Sequence, residues 1–433
     1  MNDVAILENR YPKKTIIDAI SPTAQEKKHL QIIRDLICDQ LKQEASRKNF
    51  SIEIVPGGST AKDTFLKGDY DLDIFVRFKK PSKNMSEALE FLILSVGKTI
   101  GVPVQRVHGS RDYFTMTYEG FCFEFVPVKY IQSVQDVENI TDMSPLHVSW
   151  FLQRAPFQLH DDIRLAKQFC KAARVYGAES YINGFSGHVI DILVLYYGGF
   201  EQLLEAAASH WQKTPLFIDI ENHNPQGLQN LSSSKLQSPL ILIDPIDPKR
   251  NAAAALLKKC FTKFITQAKE FISHPSKDFF VIPKFSKTIL QQSLSSTTYA
   301  LLLHFTPLQT SKDIAGTKIL KCIEFCQREL EDMGFSIHKK DFFFKNENET
   351  AHAFFILPKA DIKKTYTRQG PPISAKQGVK AFREKHSAAY EKNGYWYVDV
   401  QRKFTNAFDA LRFLITQPYV TTRCKNVRLE SVK

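Results

Sequence analysis

Gly57-Gly58-Ser59-Thr60-Ala61-Lys62-Asp63-Thr64-Phe65-Leu66-Lys67-Gly68-Asp69-Tyr70-Asp71-Leu72-Asp73 is the run from which the rest of this 433-residue chain is read. Two glycines and a serine make a turn, Thr60–Asp69 reads as a helix, and Asp71–Phe78 alternates as a strand. Residues two apart on a strand face the same side, so the Asp71 and Asp73 carboxylates enter one space. Like charges that close repel unless a hard cation neutralises them, and Mg²⁺ with its preference for oxygen suits the role. A Gly-Ser turn opening a helix offers free N–H groups and a positive end to a phosphate tail. Phosphate cradle plus paired carboxylates is equipment for phosphoryl or nucleotidyl transfer with two metal ions.

Working outward, Leu30, Ile33, Leu36, Ile37 and Leu41 recur at helical spacing within Pro22–Asn49, and a short strand, Ser51–Val55, leads into the turn. Downstream, Tyr113–Tyr118 and Phe121–Val128 form a hairpin around Glu119-Gly120. Glu124 lies between two phenylalanines of that hairpin, where a carboxylate is expensive to bury without a cation. It is therefore the candidate third carboxylate, able to act as a metal ligand or general base on an attacking hydroxyl.

Beyond Ser144 the pattern is mainly helical, with helices expected at Asp162–Tyr176, Gly187–Ala208 and Asn251–Lys269. Short strands are expected at Leu216–Ile220 and Leu240–Ile243, with a polar surface loop between them. After His274-Pro275 come a strand (Thr298–Phe305), a helix (Asp313–Met333) and a hairpin (Ser336–Leu357) broken at Asn346–Glu349, an order that suggests a palm-like or RNA-recognition-like sheet. The final basic segment, Tyr366–Lys433, reads as helical, then stranded at Tyr395–Val400, then helical again. The fold class is therefore α+β and multidomain.

Hydrophobic residues make up 43% and charged residues 24%, which excludes a mainly disordered or fibrous chain. Gly187–Phe200, the most apolar run, is short and interrupted by Asp191, so no membrane span is expected. Met1–Lys14 is polar and carries acids, unlike a signal or transit peptide, and seven scattered cysteines suit a reducing, cytoplasmic setting. Lys and Arg number 58 against 46 Asp and Glu, a net charge of +12 that favours polyanionic partners.

The run 57–73 resembles the signature of the nucleotidyltransferase superfamily, and within it the archaeal-type, class I CCA-adding enzymes, which build and repair the 3′ CCA end of tRNA. Further resemblance lies in Thr141-Asp142-Met143-Ser144-Pro145-Leu146-His147 with Trp150, Arg164-Leu165-Ala166-Lys167, Tyr176-Gly177-Ala178-Glu179, Gly184-Phe185-Ser186-Gly187, Asp244-Pro245-Ile246-Asp247-Pro248-Lys249-Arg250-Asn251 and Arg402-Lys403-Phe404-Thr405. The resemblance implies a nucleotidyltransferase head with a mixed sheet (1–143), a helical nucleotide-selecting neck (144–272), and a tRNA-binding, RNA-recognition-like body and tail (273–433). It implies Asp71, Asp73 and Glu124 as catalytic metal carboxylates for two Mg²⁺ ions, although the third carboxylate of the family is usually Asp. Gly58, Ser59 and Lys62 would hold the triphosphate, and His147, Lys167 and Tyr176 would line the nucleotide. Arg250, with Asn251 beside it, would address the base. CTP, ATP and the tRNA acceptor end are the implied partners, and a homodimer is among the assemblies to be considered. Two other readings stay open: a template-independent polymerase of poly(A) or oligoadenylate type, and a catalytically silent tRNA-binding relative.

Three other signals are read conservatively. His160-Asp161-Asp162 lacks the further ligands of a metal phosphohydrolase, so an aspartate there is expected to cap a helix. Cys322 and Cys326 share a helix face with Ile319 and Ile323 and read as core thiols. The basic, aromatic tail, with Arg368, Lys376, Lys380, Arg383, Lys385, Arg402 and Lys403 among Tyr390, Tyr395, Trp396, Tyr397 and Phe404, is a candidate RNA surface.

Overall fold

The computed structural model describes residues 10–80, 84–109, 111–223, 231–346 and 348–433. The chain divides into two compact units, Met1–Pro283 and Lys284–Lys433. Much of the polar loop expected between Ile220 and Leu240, and one residue of the Asn346–Glu349 break, lie outside the described residues.

The first unit opens with α1 (Lys13–Ile20) and α2 (Ala24–Arg47). Thr23 and Glu26 form a reciprocal capping box at the start of α2. Next come β1 (Ile52–Pro56), α3 (Gly58–Ala61), β2 (Asp71–Phe78), α4 (Met85–Ile100), β3 (Gln105–Val107), β4 (Tyr113–Tyr118) and β5 (Phe121–Lys129). The strands form one mixed sheet in the order β1-β2-β5-β4-β3, in which only β2 and β5 run parallel. Alternation sorts its faces. Leu72, Ile74, Val76 and Phe78 join Phe121, Phe123 and Phe125 in a core with Leu30, Ile37 and Leu41 of α2 and Leu89, Leu92, Ile93 and Val96 of α4. The opposite face carries Asp71, Asp73 and Glu124, followed along the strands by Phe75 and Val128, which pack on Val148.

The helix expected over Thr60–Asp69 is a single turn, α3. Left-handed backbone at Asp63 and Gly68 bends the chain, and Phe65 and Leu66 then enter two different cores. Anchoring both side chains requires an irregular path.

A helical layer follows: α5 (Ser144–Arg154), α6 (Leu159–Ala172), α7 (Gly187–Tyr197), α8 (Phe200–His210) and α9 (Lys258–Ser273), with a two-stranded parallel ribbon of β6 (Leu216–Ile218) and β7 (Leu240–Leu242). Phe151, Phe169, Phe185, Phe200, Trp211, Phe261, Phe264 and Phe271 fill its core. The single helix expected over Gly187–Ala208 is two, because Gly198 and Gly199 adopt positive φ values of 83° and 153° and end the first.

The second unit contains α10 (Lys287–Gln292), β8 (Thr298–Thr306), α11 (Lys312–Asp332), β9 (Lys339–Phe343), β10 (Ala351–Pro358), β11 (Thr365–Pro372), α12 (Lys376–Lys385), β12 (Tyr390–Lys392), β13 (Tyr395–Gln401), α13 (Ala407–Leu414), α14 (Pro418–Thr421) and β14 (Asn426–Val432). β8, α11, β9, β10, α13 and β14 give the β-α-β-β-α-β order, and the four strands form an antiparallel sheet β14-β8-β10-β9. The expected RNA-recognition-like sheet is present. β11, α12, β12 and β13 are an insertion with its own sheet, β11-β13-β12. The segment from Tyr366 thus begins as a strand rather than a helix, and Asn426–Val432 is a strand where a helix was expected. Cys322 and Cys326 are buried core thiols, as expected, and Cys322 Sγ lies 3.7 Å from Cys424 Sγ. Among the described residues no helix is long and apolar enough to cross a membrane.

Candidate active site

The parallel register of β2 and β5 pairs Asp73 with Glu124 and Asp71 with Cys122. Residues paired in register point to the same face, so the three expected carboxylates share one surface of the sheet. Asp71 is exposed at the strand end, while Asp73 and Glu124 are half-buried. Burial, then the neighbouring Asp71, push the Asp73 carboxyl up to about 6, with Lys62 opposing.

The Gly-Gly-Ser turn lies directly over it. The Gly57 amide donates to the Asp73 carbonyl at 2.7 Å. A Cβ on Gly58 would stand 1.7 Å from Asp73 Oδ2, and one on Gly57 2.2 Å from the Phe75 ring. Gly58 also has φ +60°, a conformation glycine tolerates best. Ser59 follows at once, half-buried, its carbonyl accepting the Thr64 amide at 3.0 Å. The turn is thus held against the carboxylates by contacts that no side chain at 57 or 58 would permit.

Lys62 and Lys167 meet beneath it. Lys62 Nζ donates to Asp191 Oδ2 at 2.9 Å, and Lys167 Nζ lies 3.4 Å from Asp191 Oδ1 while donating to Thr64 Oγ1 at 2.9 Å. All three charged groups are buried. Burial pulls the Lys167 ammonium below the ordinary lysine value, with Asp191 resisting. Two ammonium groups share one carboxylate, so this part of the site is electropositive. Tyr176, half-buried, has its hydroxyl 3.1 Å from the point a Cβ on Gly187 would occupy. Lys171 Nζ lies 5.2 Å from its ring centre.

A second node gathers around Asp244, which is fully buried. His147 Nε2 is 2.9 and 3.0 Å from its two carboxylate oxygens, and Arg250 Nη1 donates to Oδ2 at 2.5 Å. The backbone amides of Ile246 and Asp247 donate to Oδ1 at 2.9 and 3.2 Å. Burial favours the protonated acid, yet the imidazoles of His147 and His188 hold Asp244 well below the usual carboxylate range. The His188 ring lies tilted against His147, their centres 4.4 Å apart, and burial pulls His188 down to about 4.

Asn251 differs from the sequence expectation. It is 3% exposed, its Oδ1 accepts the Leu242 and Ala253 amides, and its Nδ2 donates to the Lys235 and Leu240 carbonyls. With every polar position of its side chain engaged by backbone, it braces the loop carrying Arg250 instead of facing a ligand. Asp161 and Asp162 lie in the first turn of α6, whose cap is Gln158, and bind Arg164 and Lys13. The helix begins earlier than Asp162, which moves both aspartates inside it.

Sequence reasoning passed over Asp191, His188 and Asp244. Asp191 left a signal, an acid alone in the apolar run Val189–Tyr197, where burial demands a cation. Asp244 opens the run Asp244–Asn251, where the spacing alone does not disclose its partners. His188 left none.

Comparison with known proteins decides the family. Residues 38–136 match a nucleotidyltransferase domain, 161–281 the second domain of tRNA nucleotidyltransferases, and 296–428 the CCA-adding enzyme C-terminal domain. The CCA-adding enzyme of Nanoarchaeum equitans is 33% identical over 357 residues, 82% of this chain and 85% of that one. The chain belongs to the CCA-adding enzyme family. The CCA-adding enzyme of Methanosarcina mazei is 29% identical over 409 residues, covering 91% of this chain and 87% of its own. A structure of the Cid1 poly(U) polymerase shares the fold at a TM-score of 0.50 and 11% identity over 64% of this chain and 99% of that one. This CCA-adding enzyme family member is accordingly a tRNA nucleotidyltransferase.

Proposed function

We propose that the protein adds and repairs the 3′-terminal CCA of tRNA without a nucleic-acid template, using CTP and ATP and releasing pyrophosphate. The observation that carries this reading is the Asp73–Glu124 register pair with Asp71, lying beneath the Gly57-Gly58-Ser59 turn.

The donor set fits two Mg²⁺ ions. It consists of hard carboxylate oxygens, and the upward shift of Asp73 records a cluster that a cation would relieve. Asp71, Asp73 and Glu124 would hold the ions, which supply Lewis-acid stabilisation of the attacking 3′-oxygen and the leaving pyrophosphate. The chain's own residues do the rest. Ser59 and the turn receive the triphosphate, drawn by the excess ammonium charge of Lys62 and Lys167. His147 and Tyr176 line the nucleotide, and Arg250 presents planar donors to the acceptors on cytosine and adenine. The exposed cations of the second unit, Arg368, Lys376, Lys380, Arg383 and Lys385, bear the tRNA backbone, with Arg383 stacked 4.8 Å from Trp396.

The test is incorporation of CTP and ATP, separately and together, into tRNAs ending at each stage of the tail. Three nucleotides followed by a stop are expected, with partial tails completed. An open-ended product would transfer the reading to a poly(A)-type polymerase, and no magnesium-dependent labelling would leave a silent tRNA binder.

A further inference from the structure

His147, His188 and Asp244 have the donor types of a zinc site, with candidate ligand atoms within 4.8 Å of one another. The carboxylate, however, already has a cation. Arg250 Nη1 sits 2.5 Å from Oδ2, and a metal ion there would face a permanent positive charge. The node therefore calls for a different account.

Asp244 begins a loop that closes on itself. Its amide donates to the Arg250 carbonyl at 3.0 Å, the Arg250 amide to the Asp247 carbonyl at 3.0 Å, and Ile243 bridges Asn251. Four donors fix the carboxylate: the His147 imidazole, the Ile246 and Asp247 amides, and the Arg250 guanidinium. A carboxylate so tied cannot rotate, and a planar guanidinium anchored to it by one nitrogen has its plane restricted. The Arg250 side chain is 26% exposed, and its Nε and Nη2 have no hydrogen bond among the described residues. That edge is the one left to meet a base.

We infer that Asp244 is the positioning residue for nucleotide choice: it holds the Arg250 guanidinium at a fixed angle and ties it to His147, so that base reading and the nucleotide-lining imidazole are set together. The inference rests on the proposed CTP and ATP specificity. A rigid donor edge discriminates because a base with mismatched groups leaves the donors unpaired, whereas a swivelling one adapts. Asp244 touches no substrate in this scheme.

The test is Asp244→Asn, which keeps an oxygen for the loop amides and removes the charge holding the guanidinium. The CTP-over-UTP ratio of kcat/KM on a CCA-lacking tRNA is expected to fall roughly tenfold or more, mainly through KM. In an Arg250→Ala background the same substitution should leave that ratio unchanged, since the group it acts through is gone. An unaltered ratio in the single variant, or independent effects in the double, would overturn the inference. So would one equivalent of Zn²⁺ retained by the wild-type protein after dialysis and released by Asp244→Asn. Should that variant fail to fold, arginine-selective ¹⁵N spectra of the wild-type protein decide, with Arg250→Lys assigning the signal. Restricted rotation of the Arg250 Nη groups supports the inference, and free rotation refutes it. Failure of wild-type protein to prefer CTP at all would instead sink the underlying functional reading.

Discussion

The two ends of the site are built on opposite electrostatic plans. At the sheet, three carboxylates crowd one face and Asp73 is pushed up to about 6. Around Asp244, the buried carboxylate itself is matched by His147, Arg250 and two backbone amides, and its imidazole partners hold it well below its ordinary range. The first end is a carboxylate cluster that a cation would relieve, and the matched end holds a shape. In the proposed reaction the first end would seat the chemistry, and the second would keep selection rigid.

The severest way to break this contrast is Asp73→Ala. Incorporation should fall by more than about 10³-fold while the tRNA Kd stays within about threefold, measured by primer extension and filter binding. Normal turnover would dissolve the distinction between the ends.

Gly58→Ala comes next. It forces a side chain into a positive-φ position and onto the Asp73 carboxylate. A loss of about 10²-fold in kcat is expected, because a displacement of about 1 Å is that costly. Far-UV dichroism should remain native, and an active variant would show that the turn does not touch the chemistry.

Asn251→Ala tests the matched end. Removing a side chain that serves four backbone groups should lower stability by roughly 2–3 kcal/mol in urea titrations. Activity at 25 °C should fall less than about tenfold. A KM effect without loss of stability would return Asn251 to the nucleotide.

The smallest effect sharpens the contrast through pH. The folded-state value of Asp73 is raised from 3.8, so the unfolded chain ionises first and the metal-free protein loses stability as pH rises from about 4 to 6. His188 is lowered from 6.5 to about 4, so the unfolded chain takes up its proton first and stability is lost as pH falls through that window. Each contribution is on the order of 1–3 kcal/mol. Asp73→Asn should gain stability above pH 6 and lose the Mg²⁺ stabilisation seen with wild type, and His188→Gln should flatten the acid limb. Urea midpoints at pH 4.5, 6 and 7.5 check both.

How far the amino-acid order disclosed all this depended on range. Asp71, Asp73 and Glu124 were legible because strand alternation is local and a charge among phenylalanines stands out. The ferredoxin-like order of the second unit was legible for the same reason, up to the inserted β11–β13 segment. Helix α4 left no expectation at all, although its apolar face is fully helical in spacing. The break at Gly198-Gly199 was hidden because apolar residues resume at helical spacing beyond it, at Phe200, Leu203 and Leu204. The Asp244 node joins residues 97 positions apart in chain order, and the Lys62–Asp191 contact spans 129. No periodicity reports such pairs. They follow only once the cores have chosen which helices touch.

The ladder between β2 and β5 also works as a reading frame. One residue inserted into β5 ahead of position 124 would slide a phenylalanine opposite Asp73 and turn the glutamate toward the hydrocarbon interior. The acid cluster and the hydrophobic packing would be lost in the same stroke, so a chain that folds this sheet at all has already assembled its acids.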